Sequence, residues 1–110
     1  MKPGDVVRWT FVQGDGQRKY RPAIVLGIVP PYNDLLVCAV SSQVQREVNG
    51  IDLLIDDRHP DFKRMGLRVT SLVRVVQLTT LPDKVIQGSI GSVSTTTLEI
   101  LKARLRDWLN

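Results

Sequence analysis

Arg21-Pro22 stands between a basic, glycine-punctuated stretch, Gln13-Gly14-Asp15-Gly16-Gln17-Arg18-Lys19-Tyr20, and the apolar run Ala23-Ile24-Val25-Leu26. An arginine in that setting is a candidate phosphate ligand. Proline fixes φ and lacks a backbone donor, so it is tolerated at a strand's first residue but not deep inside a central strand. The residue before it is biased to extended backbone. Arg21 is therefore expected at the mouth of a strand, its forked and permanently charged donor set suited to phosphate oxygens. A second apolar run, Leu35-Leu36-Val37-Cys38-Ala39-Val40, ends in the polar groups Ser41-Ser42-Gln43.

Other reactive side chains read less specifically. His59, flanked by Asp56, Asp57 and Asp61, superficially suggests a metal or acid–base site. The spacing matches no closed ligand set, and there is no second histidine, so a charged loop is the better reading. His59 could still donate a proton near neutral pH. Cys38 is the only cysteine, which excludes an internal disulfide and points to a reducing, cytoplasmic setting. With no base or cation beside it in sequence, it reads as a small buried hydrophobe rather than a reactive thiol.

The elements that must position these groups are mostly strands. Val6, Arg8 and Thr10 alternate with Val7, Trp9 and Phe11 after the turn-prone Pro3-Gly4-Asp5, giving a first strand. A flexible glycine loop follows, then strands over Arg21 to Val29 and Leu35 to Val40, reversed by Pro30-Pro31-Tyr32-Asn33-Asp34. Asn49-Gly50 is a hairpin-type signal before a strand over Ile51 to Ile55. The β-branched residues between Arg68 and Leu81 predict one long or bent strand, with a short piece around Val85-Ile86. Leu98, Leu101, Leu105 and Trp108 then recur at helical spacing, and Thr96-Thr97-Leu98-Glu99 fits a capping box. Trp108 is expected to pack with that stripe. The pattern predicts a mainly β, β-rich α+β fold: a small SH3-like antiparallel barrel with a C-terminal amphipathic helix over an open side.

The chain has 110 residues, 43% of them hydrophobic, enough for one core and too few for two ordinary domains, so residues 1–110 are read as a single domain. The formal charge is +4 and the pI near 9.6, compatible with a polyanionic partner without demanding one. No run suggests a signal peptide or a membrane span, so a soluble protein is expected. A barrel this small with apolar strands also predicts a homodimer that covers one face.

Gly4-Asp5-Val6-Val7, Arg21-Pro22-Ala23-Ile24-Val25-Leu26 and Cys38-Ala39-Val40-Ser41-Ser42-Gln43, in that order and spacing, resemble the MazF/PemK family of bacterial toxins, and the likeness continues through Gly66-Leu67 to the terminal helix. The resemblance implies a homodimeric, metal-independent endoribonuclease without a cofactor. Such an enzyme cuts single-stranded RNA and is neutralised by a cognate antitoxin. It places the family's catalytic arginine on Arg21 and its catalytic threonine or serine on Ser41, with Ser42 if the register slips by one, and Gln43 on a polar position that follows. In such cleavage the ribose 2′-hydroxyl attacks the adjacent phosphorus and the 5′-oxygen leaves. Aimed donors to the phosphorane typically contribute about 2.7 to 4 kcal/mol each. Arginine, with a pKa above roughly 12, suits charge stabilisation better than proton donation.

Asp15 is a possible general base if RNA orders its loop, or simply a turn residue. Tyr20 between Lys19 and Arg21, with Arg18 nearby, offers stacking and positive charge to single-stranded RNA, whereas Trp9 favours packing; Arg68 and Arg74 are secondary additions to a basic surface. Two departures from the family stand out. Gly14-Asp15-Gly16-Gln17-Arg18-Lys19 replaces the usual loop before Arg-Pro, and Gln77-Leu78-Thr79 replaces a Gln-Ile-Arg pattern, so cleavage preference does not transfer. Rival readings are a gyrase-poisoning protein of the CcdB type on the same fold, whose Trp-Gly-Ile tail is replaced here by Trp108-Leu109-Asn110, and a catalytically silent barrel.

Overall fold

The computed structural model describes all 110 residues apart from the side chain of Phe11. Six strands, β1 (Asp5–Val12), β2 (Arg18–Val29), β3 (Asp34–Ser41), β4 (Leu53–Ile55), β5 (Ser71–Leu81) and β6 (Ile86–Ser92), precede one helix, α1 (Thr95–Leu109). They form a single antiparallel sheet in the order β4-β5-β3-β2-β1-β6.

The central strands are apolar on both faces, which is why β2 shows no polar alternation. Val6, Ile24, Leu26, Cys38, Val40, Val73 and Val75 pack on one face with Leu101 of α1. Val7, Ala23, Val25, Leu35, Val37 and Leu81 fill the other, with Trp9, Val85 and Ile86 against them. Trp9 is thus a packing residue. Cys38 is fully buried, and burial pushes its thiol up to about 12, so it stays protonated at neutral pH.

β4 and β6 are the sheet edges and do not pair with each other. The loop after β4 spans the gap, with the Ser92 N–H donating to the Arg64 carbonyl at 2.8 Å. Glycine is required on both sides of this seam. A Cβ on Gly66, whose φ is +74°, would strike the Ile90 carbonyl, and one on Gly91 would strike the Arg64 carbonyl. The barrel expected from sequence is therefore completed by a loop rather than by a sixth ladder.

The helix starts earlier than the capping box at Thr96 predicts. Ser94 is the N-cap and its Oγ accepts from the Thr97 N–H at 3.2 Å. Four consecutive hydroxyl residues, Ser94 to Thr97, compete for that role, and Asp61 decides it. Its buried carboxylate accepts from the Ser94 N–H at 2.9 Å and the Ser94 Oγ–H at 3.0 Å.

Further along, Leu101 is fully buried and Leu105 partly so, while Trp108 is 54% exposed, contrary to the expected packing. Its helical phase is right, but it lies in the last turn of α1 and stays exposed, so packing of Trp108 gives no argument against the CcdB-type reading. No helix among the described residues is long and apolar enough to cross a membrane.

Three other boundaries differ from expectation. β2 begins at Arg18, so Arg18-Lys19-Tyr20 is strand paired with Val12, Phe11 and Thr10, and only residues 13–17 form the turn. Pro22 is consequently inside β2 instead of opening it. It lies just past the last β2–β3 pair, Ala23↔Ala39, where no rung on that side needs its missing donor. Asn49-Gly50 does not join two strands; it follows a 3-10 turn at Val44–Arg46 and leads into β4.

Candidate active-site cleft

Extending the β2–β3 register two residues beyond Ala23↔Ala39 sets Arg21 opposite Ser41. Side chains two apart share a face, so both lie on the side that carries Ala23, Val25 and Val37. Where those apolar residues stop, the same face opens into a cleft of about 540 Å³. Tyr20, Arg21 and Pro22 of β2, Ala39 to Ser41 of β3, and Ser42 and Gln43 beyond it form one side. Gly66 to Val69, Ser71, Arg74, Gln77 and Ile90 form the other.

The fold thus brings together Tyr20, Arg21, Ser41, Ser42 and Gln43 from the sequence candidates. Arg18 and Lys19 do not line the cleft; they continue exposed along β2 away from it. Asp15 sits in the β1–β2 turn, outside the lining, where its Oδ1 accepts from the Gln17 N–H at 2.9 Å. His59 is also elsewhere, its Nδ1 accepting from the Asp61 N–H at 3.0 Å, which leaves the proton of the neutral ring on Nε2.

Four arginines line the cleft, Arg21, Arg46, Arg68 and Arg74, and among the described residues no carboxylate or histidine does. Arg46 had no sequence signal beyond its charge, because it follows Ser41 through an irregular 3-10 turn. Arg74 reaches the cleft through a break in strand register. From Cys38↔Leu78 to Ala39↔Arg74, β3 advances one residue and β5 four, leaving Val75, Val76 and Gln77 without a β3 partner. Skipping an odd number exchanges the faces of β5, so Gln77 and Arg74 both open toward the cleft.

The chemistry of the lining is that of anion recognition. Ser41 Oγ accepts from the Gln43 N–H at 3.1 Å, a turn closure that leaves its own O–H proton available to a ligand. Tyr20 is half exposed, and the Arg8 guanidinium carbon sits 4.7 Å from its ring centre, steadying the aromatic at the rim.

A family model described as the PemK-like, MazF-like toxin of type II toxin–antitoxin systems matches residues 2–109. No curated protein sequence matches. Among solved structures, a MazE–MazF complex from Deinococcus radiodurans superposes with a TM-score of 0.74 at 19% identity, covering 99% of this chain and 95% of that one. MazF alone from the same organism gives 0.69 at 19% identity, with 99% and 96% covered. The Mycobacterium tuberculosis toxin MazF-mt6 gives 0.66 at 18% identity, with 96% and 94% covered. At these identities the structures establish a shared fold: a six-stranded, mostly antiparallel sheet with one C-terminal helix. The match along nearly the whole sequence goes further, and the chain belongs to the PemK-like, MazF-like toxin family of type II toxin–antitoxin systems.

Proposed function

We propose that the protein is a metal-independent endoribonuclease that cleaves single-stranded RNA in this cleft and is held inactive by a cognate antitoxin. The observation that carries the reading is that Arg21 and Ser41, aligned just beyond the last β2–β3 pair, line one cleft together with three further arginines. The 2′-hydroxyl loses its proton and bonds to the adjacent phosphorus, and the bond to the 5′-oxygen breaks with that oxygen taking up a proton. The products are a 2′,3′-cyclic phosphate and a 5′-hydroxyl.

Arg21 stabilises the charge that accumulates on the phosphorane, with the Ser41 hydroxyl as a further donor. Tyr20 stacks a base, Ser42 and Gln43 contact the strand, and Arg18 and Lys19 extend the positive track along β2. Among the described residues no acid–base group other than tyrosine and arginine lines the cleft, so the proposed base, Asp15, has to be carried in by closure of the β1–β2 turn over bound RNA. Homodimerisation belongs to the same reading, supported by the exposed apolar end of α1 at Trp108 and Leu109. A basic cleft also suits an acidic antitoxin segment.

Incubation of the purified protein with a long single-stranded RNA in excess chelator tests the activity. Fragments ending in cyclic phosphate are expected; intact RNA together with gyrase stalled on DNA would favour the CcdB-type alternative.

A further inference from the structure

Arg74 differs from the other cleft arginines in how it is held. Its side chain is 18% exposed, and Nε lies 3.2 Å from Oδ2 of Asp52, which is itself only 2% exposed. That Nε makes no aligned hydrogen bond, so the pair is an ion-pair contact rather than a bidentate fork. Asp52 is fixed independently. Its Oδ2 accepts from the Val48 N–H at 2.9 Å, and its carbonyl accepts from Arg104 of α1. A guanidinium anchored at its root in this way loses little further side-chain entropy on meeting a ligand.

Its position is equally specific. The displaced register pairs Arg74 with Ala39, two residues along β3 from Ser41, while Arg21 projects opposite Ser41 on the other side of β3. Two residues of strand correspond to roughly 6.5 Å. Both residues line the same cleft on one sheet face, two strands apart with β3 between them, so their backbones are separated by roughly 11–12 Å and their long side chains reach toward the cleft from its two flanks.

We propose that Arg74 is a second phosphate-binding residue of the cleft, taking a backbone phosphate of single-stranded RNA adjacent to the one at Arg21. The proposal rests on the endoribonuclease reading for its substrate class. Its partner group is defined by chemistry alone: a phosphodiester oxygen, bound through the outer nitrogens of a guanidinium rooted on Asp52.

Binding of an uncleavable, fully 2′-O-methylated single-stranded RNA to the full chain, followed against salt concentration, separates this role from catalysis. Loss of one phosphate contact reduces the slope of log K against log[salt] by about 0.7 for a single strand. Arg74→Gln is expected to show that reduction, and Arg74→Lys to restore the slope. If Arg74→Gln fails to fold because Asp52 is left buried and unpaired, Arg74→Gln/Asp52→Asn removes both charges and the same slope is read from it. A folded variant with the wild-type slope overturns the proposal while leaving the activity reading intact. A wild-type protein with no salt-dependent binding removes both.

Discussion

Arg18-Lys19-Tyr20-Arg21-Pro22 and Asp56-Asp57-Arg58-His59-Pro60-Asp61 are both short charged stretches next to a proline, and the fold puts them to opposite uses. The second holds the chain's only histidine and three of its carboxylates, the residue types most often expected of a catalytic centre. Several of its polar atoms are engaged within the protein: Asp56 accepts from the Arg58 N–H, His59 accepts from the Asp61 backbone, and Asp61 accepts from both the N–H and hydroxyl of Ser94. The first stretch leads into a cleft where Ser41 keeps a donor available and the arginines Arg21, Arg46 and Arg68 are exposed. Chemical potential in a sequence is thus a poor guide until hydrogen-bond demand has been accounted for.

Gly66 joins the two regions, since it lines the cleft and sits at the seam to β6, so its substitution gives the largest expected effect. Gly66→Ala places a side chain on left-handed backbone, at about 1–2 kcal/mol, and against a carbonyl oxygen besides. A total near 3 kcal/mol is expected, with melting temperature and RNA cleavage falling together. An unaltered melt would break the picture of a seam shared by the two regions.

A smaller and more selective effect is expected at Asp61. Burial alone would raise its carboxyl, but hydrogen bonds from Thr97 and Ser94 outweigh that and hold it below the usual carboxylate range. A depressed native pKa contributes stability that is complete above the unfolded value, about 3.9, and is lost as pH falls through the native one. Asp61→Asn should therefore cost about 1.5–3 kcal/mol at pH 7 and flatten the acid limb of the stability curve. Cleavage by the molecules still folded should persist. Denaturant melts between pH 7 and pH 2 measure this, and an acid limb identical to wild type would contradict the structural role.

The sequence legibly carried the strands with two apolar faces and the helix stripe through Leu98, Leu101 and Leu105, because burial imposes those patterns directly. What it hid depends on partners distant in the chain. Arg18 to Tyr20 look like loop because glycines precede them, yet β1 supplies their rungs. Four adjacent hydroxyl residues offer several helix starts, and a carboxylate 33 residues away selects Ser94. The break in β5 register leaves no trace in a continuous β-branched run, so the route by which Arg74 and Gln77 reach the cleft could not be read. The end of β3 at Ser41 was legible because a run of polar residues marks it locally, whereas the proline misplaced the start of β2, since β1 still pairs Arg21 and Pro22 within the strand.

The central claim is that Arg21 works on the phosphate and the Asp61 cluster works on the fold. Cleavage of a single-stranded RNA by Arg21→Ala in chelator, with a thermal melt of the same sample, tests it most directly. A rate loss of about 10²–10³ with the melt unchanged is predicted. Wild-type cleavage by a folded Arg21→Ala protein would contradict the account.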